Sequence, residues 1–245
     1  MVKNKLCVKI LITISMTGML YSMAGCTLNG ADYTGDGVVD PSKVMIKTKS
    51  GKIAKLKLTN NPIAVILKDL DEKSKQIAIA AINQLDEISE NINYQIFENE
   101  NVSISQQIII SEDNSLIEKL GAWGQTVFTL GSQSGTIYYP IYITFDKESI
   151  ISQSQTIGTD ILPSVIKHEL LHSLGFEDIY DYRDKYDTIM YYKTINANRA
   201  LDYTESDKYY IKKIYDECVE DVCSPEFMKV VYVQNKKEED YEFVM

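Results

Sequence analysis

The chain has 245 residues, 44% of them hydrophobic and 24% charged, with a formal net charge of −10. That apolar content sustains a buried core and excludes a chain disordered along its whole length. Its 35 acidic residues against 25 basic ones give a surface that repels phosphate backbones, so nucleic acid is excluded as a partner.

Residues 1–25 read as a secretory signal. Lys3, Lys5 and Lys9 precede or open an apolar stretch from Ile10 to Leu20, and small residues Ala24-Gly25 stand before Cys26. The ending Met23-Ala24-Gly25-Cys26 resembles the bacterial lipoprotein box, which implies a lipidated Cys26 as the mature N-terminus. Several acyl chains make a stable anchor. The expected location is extracytoplasmic, at the cell surface or a periplasm-facing membrane, tethered by lipid and not embedded. A polar linker follows over residues 26–43. Within it Asp32, Thr34, Asp36, Gly37 and Asp40 are spaced like the first part of an EF-hand or dockerin calcium loop. Lys43 stands where the closing carboxylate belongs, so the segment reads either as a weak Ca²⁺ site or as a turn-rich spacer.

Residues 44–70 read as a hairpin around Ser50-Gly51 and a connection, ahead of a main domain over 71–225. From Asp71 to Ile92, Ile77, Ala81, Leu85, Ile88 and Ile92 recur at helical spacing. Tyr94–Phe97, Gln107–Ile110 and Gln125–Leu130 read as strands. Thr136–Asp146 alternates in polarity, and Pro140 at its middle predicts a sheet edge open to an extended substrate. A helix is expected around Asp160–Leu174, with Pro163 in its first turn. Thr204-Glu205-Ser206-Asp207 reads as a capping box before a helix with Ile211, Ile214, Tyr215 and Cys218 on one face. Cys218 and Cys223 either close a small disulfide loop or remain thiols or half a metal site. Residues 226–245 read as a charged tail, frayed from Lys236.

The only two histidines stand four apart, in His168-Glu169-Leu170-Leu171-His172. On a helix, residues four apart are rotated by about 40° and rise about 6 Å, so both imidazoles leave one face. That face can supply two corners of a tetrahedral zinc site, with Glu169 beside it as a base for an attacking water. Chance brings this pattern about in roughly one such chain in two thousand. Gly175 then allows a left-handed turn, through which a residue six past His172 can reach back to the same metal.

The string from His168 to Asp178 resembles the metzincin zinc-protease motif HExxHxxGxxH with aspartate for the last histidine, as in snapalysin-like relatives; a matrixin-like domain is the other kinship it suggests. The resemblance implies His168, His172 and Asp178 as ligands of one catalytic Zn²⁺ and Glu169 as general base. It also implies a Met-turn at Met190 within Asp187–Tyr192. Tyr192 would approach the metal or the oxyanion, with a pocket-wall role equally open to Tyr191 and Tyr192. Residues 191–203, including Ile195, Leu201 and Tyr203, would wall the specificity pocket. The implied fold is α+β: a twisted, mostly parallel sheet with an antiparallel edge strand, a long backing helix, an active-site helix and a C-terminal helix. The implied activity is monomeric zinc endopeptidase, with a protein or peptide substrate and with the membrane met only through Cys26. Two rivals remain: a site completed by Glu205 instead of Asp178, and a surface lipoprotein whose metal site is structural or vestigial and serves a binding module.

Overall fold

Ile63–Leu67 is apolar throughout and buried at every position, the pattern of a strand covered on both faces. In the computed structural model it lies inside the sheet, between parallel neighbours. The structure describes residues 44–48, 51–98, 102–131, 134–180, 188–191, 202–217 and, as backbone, 240–244. The signal, Cys26, Asp32–Asp40, Tyr192, Cys218 and Cys223 lie outside the described residues.

In chain order the elements are β1 (Lys55–Leu56), β2 (Ile63–Leu67), α1 (Glu72–Ile88), β3 (Tyr94–Phe97), β4 (Gln107–Glu112) and α2 (Leu116–Leu120). There follow β5 (Gly124–Leu130), β6 (Thr136–Phe145), α3 (Lys147–Ile157), α4 (Leu162–Ser173), α5 (Glu205–Lys212), a π-helical turn (Lys213–Glu217) and β7 (Asp240–Val244). The sheet order is β3-β2-β4-β6-β5-β7, with β1 beside the start of β6. Strands β3, β2, β4 and β6 run parallel, β5 antiparallel to β6, and β7 antiparallel to β5. This is an α+β architecture on a mostly parallel sheet, as expected.

Helix α1 begins where Asp71 accepts a bond from the Ser74 amide at 2.8 Å and buries Ala78, Ala81, Ile82, Leu85 and Ile88. It stops short of Ile92 because Ser89 turns extended. Helix α4 starts with Pro163 in its first turn and is buried around nearly its whole circumference, packed between α1 and strands β5 and β6. A helix covered on all sides is held by packing and not by intrinsic propensity. The capping box at Thr204 and Asp207 is formed. No helix among the described residues is long and apolar enough to cross a membrane.

Three expectations change. Thr136–Phe145 is an interior strand, not an edge. On one side it meets β4 from Ile141 onward and β1 at Thr136 and Ile137, so residues 138–140 fall between two partners. On the other side β5 shifts register between Val127 and Thr129. A residue without an N–H is tolerated at such an interruption of the ladder. The hairpin and connection over 44–70 also contain β2, an inner strand of the sheet. Finally, the charged tail is not frayed throughout. Asp240–Val244 alternates aromatic with acidic residues and satisfies the exposed backbone groups along β5.

Candidate metal centre

His168 and His172 stand one turn apart on α4, both fully buried, with ring centres 4.6 Å apart edge to face. Main-chain carbonyls orient both rings. His168 Nδ1 lies 2.9 Å from the Ile189 oxygen, and His172 Nδ1 lies 2.8 Å from the Phe176 oxygen. A carbonyl can only accept, so each Nδ1 carries a proton, and a ring with no second proton presents a lone pair at Nε2.

Asp178 arrives from the segment that follows α4. Gly175 there has φ +89°, and a Cβ on it would lie 2.2 Å from the Ala54 carbonyl oxygen. Both the left-handed turn and the close approach therefore require glycine. The amide of Ile46 donates to the Gly175 oxygen at 2.9 Å, and the Glu177 amide donates to the Val44 oxygen at 2.9 Å. With a bridge between Met45 and Phe176, residues 44–46 pin the exit of the helix. So held, Asp178 Oδ1 stands 3.1 Å from His168 Nε2 and 3.6 Å from His172 Nε2.

Three electron-pair donors thus face one another inside the protein. The 3.1 Å contact is not aligned as a hydrogen bond, and His168 Nε2 and Asp178 Oδ1 are both buried without a hydrogen-bond partner. A proton can bridge one such pair; a cation can sit among all three. Ligand atoms around a tetrahedral ion with bonds near 2.0–2.1 Å stand about 3.3 Å apart, and the two separations straddle that value. The ligand atoms of His168, Glu169 and His172 also lie within 4.8 Å of one another, a buried group able to hold a metal ion. Burial works against a charged Asp178, but the neighbouring His172 and His168 outweigh it and hold its carboxyl well below the usual range. For His168, burial pulls the pKa down and the Asp178 carboxylate more than restores it, leaving it raised. The cluster attracts positive charge, whether as proton or as ion.

Glu169 is fully buried beside it. The Thr126 hydroxyl of β5 donates to Glu169 Oε2 at 2.6 Å, while Oε1 has no hydrogen-bond partner. Burial pushes the Glu169 carboxyl up, with His172 and His168 pulling against it. A Cβ at Gly124 would lie 2.4 Å from Oε1 and 2.8 Å from Cδ of Glu169, so a larger residue there would push the carboxylate from its place. Gly124 and Thr126 escaped sequence reasoning. A glycine opening a strand and a threonine on its buried face are signals too common to point anywhere.

The residues from Thr188 to Met190 form a turn whose Ile189 carbonyl receives His168. Met190 is buried, its oxygen accepts from the Ile179 amide at 2.7 Å, and Tyr191 bridges Ile179. Asp207 of α5 holds this turn. Its Oδ1 accepts from the Thr188 hydroxyl at 2.6 Å, and its Oδ2 accepts from the Ile189 amide at 3.1 Å and the Thr204 amide at 2.9 Å. The capping box that starts α5 is therefore also the support behind His168. Glu205, the rival ligand, has a side chain 88% exposed and pairs with Lys208; the structure does not bring it to the cluster. Tyr203 is buried, donates its hydroxyl to the Ala81 oxygen of α1, and lies under the Lys167 ammonium. It packs the core beside α1; Ile195 and Leu201, expected with it to wall the pocket, lie outside the described residues.

No protein-family profile matches the chain, and no curated protein matches it significantly. The functional reading rests on the geometry.

Proposed function

We propose that the chain is a zinc-dependent endopeptidase of the metzincin type, acting on extracytoplasmic proteins or peptides from a lipid-tethered position. The observation that carries this reading is the convergence of His168 Nε2, His172 Nε2 and Asp178 Oδ1 on one point beside the buried carboxylate of Glu169. Two imidazoles and one carboxylate are a set that zinc favours, whereas calcium and magnesium favour oxygen alone. Three protein ligands leave one position open, as hydrolysis requires.

When bound, Zn²⁺ supplies a Lewis acid that polarises the scissile carbonyl and makes water a stronger acid. Glu169 takes a proton from the attacking water at Oε1 and returns it to the departing amine nitrogen. Its raised proton affinity suits both transfers. Thr126 holds Oε2 and so leaves Oε1 to move the proton. Strand β5, which touches Glu169 through Gly124 and Thr126, takes over the substrate-docking role first expected of Thr136–Asp146. An extended peptide adding to its outer edge would pass the base.

The complete burial of His168, Glu169 and His172 favours a second reading, a surface lipoprotein with a structural or vestigial metal site that acts as a binding module. Glu169 argues against it, since a structural site needs no proton carrier. The test is metal content and peptide-library cleavage by a chain beginning at residue 27, with Glu169→Gln as control. One zinc per chain and hydrolysis are expected, and Glu169→Gln keeps the metal while kcat falls by roughly 10²–10⁴. Zinc retained without cleavage of any peptide selects the binding module; a chain that never retains metal overturns both readings.

A further inference from the structure

The outer edge of β5 is occupied. Asp240–Val244 runs antiparallel along it in unbroken register, from Asp240 opposite Thr129 to Val244 opposite Gln125. The direction of β7 carries the chain toward Gly124, the residue against which Glu169 rests. Phe243 takes the register position opposite Thr126, whose hydroxyl holds the Glu169 carboxylate. In this same arrangement His168, Glu169 and His172 are wholly shielded from solvent and Asp178 is only 9% exposed. A peptidase working on external substrates needs both the rim and the cluster within reach.

We propose that Asp240–Val244 occupies in cis the rim where an extended substrate peptide docks, so that the chain rests self-blocked until this segment is displaced. The proposal rests on the endopeptidase reading. Strand addition works through main-chain N–H and C=O groups, which are indifferent to the identity of the side chains. A substrate and the chain's own segment therefore compete for the same backbone groups of Gln125–Thr129. The tethered competitor acts at an effective concentration on the order of millimolar. If the segment's own affinity for the bare edge is near 10 μM, any competing peptide would then be weakened about a hundredfold.

Three measurements on the full chain test this. Hydrogen exchange of the unaltered protein should show protected amides in both Gln125–Thr129 and Asp240–Val244. A Tyr241→Pro, Glu242→Pro chain removes two successive N–H groups, one of which must face β5, because alternate residues of a strand direct theirs to the same side. That chain should bind a labelled peptide copying residues 240–245 at least tenfold more tightly than the unaltered protein does. Its KM for a cleavable peptide should fall at least tenfold with kcat unchanged. Equal peptide binding by the two chains, or exchange of Asp240–Val244 at unstructured rates, overturns the proposal. If the proline variant fails to fold, the exchange measurement decides alone. Hydrolysis with unchanged KM and unchanged peptide binding sinks self-blocking and spares the peptidase. Peptide binding that responds as expected, without hydrolysis by either chain, sinks the peptidase and leaves the occupied rim standing.

Discussion

Two limbs of the cluster reach the same point by different means. On α4, His168 and His172 converge because four residues are just over one helical turn, and the helix is locked on every side by α1 and the sheet. Asp178 has no such internal ruler. It is delivered by the left-handed turn at Gly175, by hydrogen bonds to residues 44 and 46, and by close contact with Ala54. The helical limb is a local property of the chain, and the loop limb is a property of the assembled fold. Disturbing the bend at Gly175 should therefore cost stability and metal together, whereas a change of a ligand side chain on either limb acts first on the metal.

The sharpest way to break this contrast is Gly175→Ala. The added methyl meets backbone and the φ is strained, so a loss of roughly 3 kcal/mol is expected, read as a lower urea midpoint of the metal-free protein together with loss of bound metal. An unchanged midpoint would show that the loop limb is not wedged as described. Next in size, Asp178→Ala should weaken metal binding well beyond the roughly 10–100-fold that follows loss of a supporting hydrogen bond. His168→Ala should do the same, and both are measured by competition with a chelating dye. Metal binding that survives Asp178→Ala would leave the two histidines as the whole site. Asp207→Asn touches neither limb directly, only the turn whose carbonyl orients His168. A fall in metal affinity of about 10–100-fold is expected there, and the helical limb would then be shown to need tertiary support too.

The smallest effect serves as a control far from both limbs. The Lys147 side chain hydrogen-bonded to Asp71, helped by Ser74, lowers the Asp71 carboxyl from 3.8 to about 2. A depressed carboxylate contributes stability that is present above its ordinary value and lost as the pH falls through about 2. Asparagine caps a helix as well as aspartate, so Asp71→Asn should only flatten acid unfolding between pH 3.8 and about 2. Metal affinity at neutral pH should not move, and a change there would mean the cluster feels α1 more than its packing suggests.

What could be read from the sequence follows the same division. The α4 spacing, the glycine bend, the Thr204 capping box and most strands announced themselves because each is set by neighbours in the chain. Pro140 misled, since one missing N–H identifies an edge only when the ladder is continuous, and here two partners and a bulge leave a gap around it. Gly124 matters because of a carboxylate on another element, Asp207 because of a turn before its own helix, and Asp240–Val244 because of an edge more than a hundred residues earlier. No local pattern encodes such meetings, and they appear only once the sheet has ordered its strands.

The acceptors behind both imidazoles are peptide carbonyls of Ile189 and Phe176. A substitution at either position changes a side chain and leaves the carbonyl in place. Both side chains are buried in the core, so packing constrains them, but the hydrogen bonds do not: any residue that fits the space keeps the carbonyl and the tautomer. Relatives compared by residue identity would show the packing preference there and no trace of the hydrogen bonds, although the imidazoles would turn or slip if the backbone path moved.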